Sequence, residues 1–374
     1  MADAAGSEGT SCAVAALCGR LEKTMNILLD GMGGDNAPEE IVKGAVMAAK
    51  EISHQILIIG PEERIYECLK DERWKGNNIQ VINATEVITN NESPAMAIRK
   101  KKDSTIAKGM RMMKEGEADV FISGGSTGAL LSAGLFILGR IQGIKRPAIA
   151  AFFPKIGQDD TTLILDCGAN VECKPEHLLQ NGIMGSIFVE CVKGIPSPEV
   201  KLLNVGAEDE KGDVLHKEGH KLLAESSLNF TGNCEGRDVP FGCCDVMVAD
   251  GFSGNVFLKS SEGIALAIMK RMKDKLMENT LSKAGALLAS GKLRDMKKEF
   301  DYSEEGGAPI LGVKGAVLKI HGSSKANAVY NAVLKAIPYI ENDVTGRIER
   351  AIVGSTTVLE ESRAAIERDD TANE

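Results

Sequence analysis

From Met25 onward the chain alternates short apolar runs with amphipathic stretches at helical spacing. The runs Ile27–Leu29, Ile56–Ile59, Ile79–Ile82, Val120–Ile122, Ile149–Phe153, Leu163–Leu165, Leu202–Val205 and Val246–Ala249 predict strands. Between the first two, Ile41, Val42, Ala45, Val46 and Ala49 share one helix face. Pro38, Glu39 and Glu40 suit that helix's first turn, where a missing N–H and negative charge are both tolerated. Repeated strand–helix units predict an α/β protein with a mostly parallel sheet covered on both faces. The pattern changes after Val256. Helices are expected over 256–280 and 282–299, then a turn at Gly306-Gly307, a strand near Ala316–Ile320 and further helix from Lys325. The resulting organisation is a flexible extension over 1–24, a single α/β domain over 25–355 carrying a helical hairpin at 256–300, and a charged tail over 356–374.

Composition removes several function classes. Aromatic residues make up 4% of the 374 positions and the net charge is −9. Base-stacking platforms need aromatics and phosphate-backbone binding needs surplus cations, so no nucleic-acid partner is expected. No stretch offers about 18 uninterrupted apolar residues, so no membrane span is expected. Residues 1–24 lack the basic start and apolar centre of a secretory signal. The nine cysteines include no C-x-x-C pair, which suggests reduced thiols in a cytosol. The adjacent Cys243 and Cys244 read as packing residues. No metal is expected, because no H-E-x-x-H, His/Cys cluster or carboxylate ladder is visible. His216 and His220, four apart on a predicted helix, read as a solvated face.

Six strand-to-helix junctions carry polar groups. Asp30 to Pro38 holds Gly33, Gly34, Asp35 and Asn36, and either approaches a ligand or forms a tight turn with capping acids. Ser123 to Ala129 holds Gly125, Ser126, Thr127 and Gly128, whose N–H groups and hydroxyls could cradle an oxyanion. It fits neither the Walker nor the dinucleotide pattern. Arg99 to Ser104, with Lys100, Lys101 and Lys102, is a solvated face or a patch for an anion or acidic carrier. Asn170 follows Asp166-Cys167-Gly168; Asp250, Ser253 and Asn255 lead into the long helix; His321 and Ser323 follow the late strand. Any one of these junctions could be an ordinary helix cap. Parallel strands would bring all of them to one edge of the sheet, where such folds bind ligands.

Taken together, these segments resemble the PlsX family of phosphate acyltransferases. The resemblance rests on Asp30–Pro38, Lys101–Ser104, Gly125–Leu131, the run LDCGANVECKPEHLLQ over Leu165–Gln180, DGFSGNV over Asp250–Val256, and GAPILGVKGAVLKIHGSS over Gly307–Ser324. It runs from about Met25 to about Val353. It implies a Rossmann-like three-layer α/β/α fold related to phosphotransacetylases and isopropylmalate-type dehydrogenases. It also implies transfer of a fatty acyl group from acyl carrier protein to inorganic phosphate, feeding phospholipid synthesis, by a homodimer loosely associated with the membrane. No cofactor is implied.

On that reading Ser126, Thr127, Gly125 and Gly128 would hold phosphate, with charge from Lys100, Lys101 and Lys102. Asp250, Ser253 and Asn255 would line the reacting carbonyl, with His321 and Ser323 nearby. Asp30, Gly33, Gly34, Asp35, Asn36, Ser104 and Asn170 complete the expected substrate-binding set. Lys259 to Lys298 contains ten cations and four acids, +6 within a chain of −9, beside the apolar Leu281, Ala284, Leu287 and Leu288. This suits an anionic membrane surface, an acidic carrier or a dimer-forming hairpin. Two rival readings are a nicotinamide-dependent dehydrogenase, whose acid cluster and adenosine site are not found, and a catalytically silent carrier-binding scaffold.

Overall fold

The structure is a computed structural model describing residues 24–299 and 306–354; the expected tail, and all but Thr24 of the expected extension, lie outside the described residues. Strands β1 (Asn26–Asp30), β2 (Gln55–Gly60), β3 (Ile79–Asn83), β4 (Val120–Ser123), β5 (Ala148–Pro154), β6 (Thr161–Leu165), β7 (Val200–Leu203), β8 (Phe230–Cys234), β9 (Val246–Val248), β10 (Ala308–Leu311) and β11 (Ala316–Lys319) make one sheet. Its order is β3-β2-β1-β4-β11-β10-β5-β6-β9-β7-β8. Apolar periodicity does not reveal β8 and β10. The first is a half-exposed edge strand, FTGNC, and the second carries Pro309 between glycine turns.

Alternate residues of the strands feed two cores. Ile27, Leu29, Ile56 and Ile58 pack on one face, and Leu28, Leu57 and Ile59 on the other. Helices α1 (Glu39–Ala49), α6 (Pro175–Lys193) and α11 (Ala326–Glu341) cover the first face. Helices α4 (Thr105–Glu115) and α5 (Thr127–Ala133) cover the second. The outcome is the expected Rossmann-like three-layer α/β/α arrangement.

The sheet is mostly parallel but changes direction in the middle. β1, β2, β3, β4 and β11 are mutually parallel, as are β6, β7, β8 and β9. Three antiparallel pairings, β11 with β10, β10 with β5 and β5 with β6, join the blocks. An odd number of reversals leaves the two blocks pointing oppositely. The expectation that all six junctions share one edge is therefore corrected. Those after β1, β4 and β11 belong to one block, those after β6 and β9 to the other, and they meet only at the seam; the sixth, Arg99 to Ser104, joins two helices and follows no strand.

Helix α8 (Gly251–Leu276) starts five residues before the predicted boundary, because Asp250 caps it through bonds from the Phe252 and Ser253 N–H groups. It is followed by α9 (Thr280–Leu288) and α10 (Ser290–Glu299), so the second expected helix is two. Only Gly251 and Gly254 of α8 are buried; Phe257 and Leu258 still pack against the second core, and none of the later described residues of the hairpin belongs to either core. The remaining helices of interest are α2 (Glu62–Asp71), α3 (Pro94–Lys100) and α7 (Val214–Ala224).

Candidate active site

The seam holds a cavity of about 250 Å³. One wall comes from the first block and its return strands: Thr127, Lys319, Ile320, His321 and Ser324. The other comes from the second: Cys167, Gly168, Asn255, Leu258, Lys259 and Glu262. Ile149, Ala151, Phe152 and Ala308 form an apolar floor. Of the residues expected from sequence, Thr127, Asn255 and His321 line this cavity. The others named above stand behind it or beside it.

Asp30 stands behind it. Buried at the end of β1, it accepts from the Ser123 hydroxyl at 2.6 Å and the Met32 N–H at 3.1 Å. Burial pushes its pKa up, and the Ser123 and Thr105 hydroxyls pull it back. Ser123 Oγ in turn accepts from the Gly125 N–H at 3.0 Å, fixing the start of the glycine loop. Gly33 and Gly124 touch backbone to backbone: a Cβ on Gly124 would lie 2.5 Å from the Gly33 carbonyl oxygen. Gly34 has φ +119° and lies against the Gly322 carbonyl, which accepts the Asp35 N–H at 2.7 Å. The Asn36 amide donates to the Ser323 and Ser324 carbonyls. Asp30, Gly33, Gly34, Asp35 and Asn36 thus lock three loops together. Ser126 is buried just before α5, and Gly128 packs that helix on Pro94.

The lysine run lies outside the cavity lining. Lys101 is held by Glu92 at 2.8 Å and the Val87 carbonyl, while Lys100 and Lys102 are exposed. Ser104 caps α4 by accepting from the Ala107 N–H. The cavity's positive charge comes instead from Lys319 and Lys259. Burial lowers the Lys319 pKa to about 8, against the opposing attraction of Asp30. Lys259 pairs with Glu262 at 2.9 Å. A signal for Lys319 was present: a lone lysine in an otherwise apolar strand is seldom buried without purpose.

On the opposite wall, Asp166 accepts from the Ile149, Gly168, Ala169 and Asn170 N–H groups and from the Asn170 amide. The same amide donates to the Pro147 carbonyl at 2.7 Å, and the Asn170 carbonyl accepts from the Gly251 N–H. Asn170 is thereby a bracket between the loop and α8. Asp250 is the α8 cap, with Ser253 half-buried on the first turn. His216 is not solvated as expected. It bridges Asp213 at 2.7 Å and Asp250 at 3.7 Å, and His220 contacts Asn233 and Asp209.

His321 Nδ1 accepts from the Ser323 N–H at 3.2 Å and lies 2.7 Å from the Ser323 hydroxyl. An N–H can only donate, so the neutral ring carries its proton on Nε2. Burial and the nearby Lys259 and Lys319 charges lower its pKa, which favours that neutral form. Cys167 is the thiol on the cavity wall. Burial pushes it well above the ordinary thiol range, so it is a poor acyl-accepting nucleophile.

The family profile described as "Fatty acid synthesis protein" matches residues 25–347. The chain is 47% identical to the phosphate acyltransferase of Clostridium acetobutylicum, over 88% of this chain and 99% of that protein. It is 45% identical to that of Thermoanaerobacterium thermosaccharolyticum, over 88% and 97%. Two solved structures share the fold. The EutD phosphotransacetylase from Staphylococcus aureus has TM-score 0.55 and 16% identity, covering 86% of this chain and 94% of that one. A phosphotransacetylase from Streptococcus pyogenes has TM-score 0.57 and 17% identity, covering 86% and 95%. With the family profile spanning most of the chain and such identities over nearly the whole of the relatives, the chain belongs to the fatty acid synthesis protein family of phosphate acyltransferases.

Proposed function

We propose that the protein transfers a long-chain fatty acyl group from acyl carrier protein to inorganic phosphate, giving acyl-phosphate for phospholipid synthesis. The observation that carries this reading is the two-sided cavity. Cations and hydrogen-bond donors (Lys319, Lys259, Thr127, His321, Asn255) face an apolar floor of Ile149, Ala151 and Phe152. The first set suits a phosphate and a reacting carbonyl, and the second suits the start of an alkyl chain.

Phosphate is largely dianionic near neutral pH and needs no strong base. Lys319 and Thr127 hold it, and positioning alone contributes up to about 7–11 kcal/mol. A phosphate oxygen attacks the thioester carbon. The Asn255 amide and the His321 Nε2–H donate to the resulting oxyanion, each donor contributing about 2.7–4 kcal/mol. The C–S bond then breaks and the carrier thiolate leaves. The proton lost by the phosphate hydroxyl balances the one the thiolate gains. No metal or redox cofactor takes part in these steps.

The test is incubation with palmitoyl-carrier protein and phosphate, with detection of free carrier and acyl-phosphate. Carrier binding without acyl-phosphate would favour the scaffold reading instead.

The exposed hairpin extends the proposal to peripheral contact with an anionic membrane from the cytoplasmic side. Among the described residues no helix is long and apolar enough to cross a membrane. Yet Ile264, Leu266, Leu281, Leu287 and Leu288 are all at least 60% exposed, among Lys270, Arg271, Lys292 and Arg294. Large apolar patches on such a basic surface suit a lipid interface. Flotation with anionic liposomes should be lost on Leu287→Asp with Leu288→Asp. Sedimentation of the same protein tests the homodimer.

A further inference from the structure

We infer that Cys234, Cys243 and Cys244 form a three-thiolate site for a thiophilic metal ion such as Zn²⁺. The three sulfurs come from two stretches of chain. Cys234 ends β8, and the loop 235–243 folds back, burying Val239 among the same apolar residues as Cys234 and Cys244. All three Sγ atoms lie within 4.8 Å of one another, and those of Cys243 and Cys244 are 3.8 Å apart. A tetrahedral site with Zn–S bonds of about 2.3 Å has sulfurs about 3.8 Å apart, so only small side-chain rotations would close it. Hard cations such as Mg²⁺ demand oxygen ligands, which this cluster does not offer.

The surroundings suit an ion that enters from solvent. Cys234 and Cys244 are buried, whereas Cys243 is half-buried beside the exposed Phe241. A fourth ligand would reach the cluster from the half-buried Cys243 side. Binding would displace the thiol protons and leave three thiolates and a dication, a net single negative charge. None of the three cysteines lines the acyl-transfer cavity. The ion would fasten the 235–243 loop to the sheet rather than enter the reaction.

The full-length chain is prepared under reductant, stripped with a chelator, and titrated with Zn²⁺ and Cd²⁺. We expect about one ion per folded chain, a thiolate-to-cadmium charge-transfer band, release of protons on binding, and a Tm that rises with Zn²⁺ but not with Mg²⁺. Cys234→Ser or Cys243→Ser should weaken binding by about tenfold or more, and Cys68→Ser or Cys173→Ser should not. Zn²⁺ should also shield Cys243 of the unaltered protein from alkylation, a readout that does not depend on a variant folding. Failure of the folded protein to retain an ion, undiminished affinity in Cys234→Ser, or alkylation of Cys243 unaffected by Zn²⁺ would each overturn the site.

Discussion

The Ser123 hydroxyl sits 2.6 Å from the Asp30 carboxylate and joins the ends of β4 and β1 inside the protein. The same oxygen receives the Gly125 N–H. One side chain therefore both satisfies a buried acid and sets the course of the glycine loop. Ser123→Ala leaves the acid short of a donor and the loop short of an acceptor. Stability should fall by about 1–3 kcal/mol, seen as a lower urea midpoint, and the KM for phosphate should rise. An unchanged midpoint would remove the brace from the account.

Gly254 makes the second close approach that the site depends on. A Cβ there would lie 2.1 Å from the Asp166 carbonyl oxygen, and backbone cannot yield as a flexible side chain can. Gly254→Ala should push α8 off the 166–170 loop, move Asn255 away from the cavity, and cost about 1–3 kcal/mol or more. Gly263 lies on the same helix with open space around it. Gly263→Ala should gain up to about 1 kcal/mol of helix stability and keep full turnover. Paired unfolding curves and rates distinguish the two positions.

Lys319 sets an alkaline limit. Its pKa is lowered to about 8, so the cation is present below that pH and lost above it. Affinity for phosphate should decline as pH rises through about 8. Lys319→Met should abolish this decline by starting low, since the charge is absent throughout. A profile of kcat/KM for phosphate against pH that is flat to pH 10 in the unaltered enzyme would dismiss the assignment.

Asn255 and His321 line opposite walls of the cavity, and in the proposed mechanism both donate to the same developing charge. Asn255→Ala should reduce kcat by about 10²–10³-fold with little change in Tm, the usual effect of losing one oxyanion donor. His321→Ala should act similarly. Because the His321 pKa is lowered, its neutral form persists below ordinary histidine titration. Protonation of Nδ1 below that point removes the acceptor for the Ser323 N–H that orients the ring, so the acid limb of kcat should fall below pH 6.5 and vanish in His321→Ala. If Asn255→Ala retains full turnover, its role is wrong.

Much of the fold is legible in the sequence because strand cores such as Ile27–Leu29 and Val120–Ile122 are continuous apolar runs, buried on both faces. β8 and β10 escape because a short edge strand and a proline-bearing strand carry no periodic signal. The reversal of the sheet is invisible for the same reason: it depends on where β10 inserts. Thr127, Asn255 and His321 were found through polar residues at strand ends. Lys100, Lys101 and Lys102 drew attention as a charge run, yet Glu92 holds Lys101 and the neighbours face solvent. In the proposed site, a single half-buried lysine in β11 takes the part expected of the conspicuous run. The cysteine cluster could not be read at all, because nothing in the spacing of Cys234 and Cys243 says that the loop folds back.

The reversal at the seam also divides the chain in an unequal way. Strands β5 to β9 and helices α8 to α10 form one uninterrupted stretch, set into a module whose two pieces lie before and after it in sequence. Asn255 and Lys259 travel with the inserted stretch; Thr127, Lys319 and His321 stay with the host. On the proposed function, exchanging residues 148–299 between relatives would transplant one bank of the cleft and leave Thr127, Lys319 and His321 untouched, so fatty-chain preference should change separately from anion affinity.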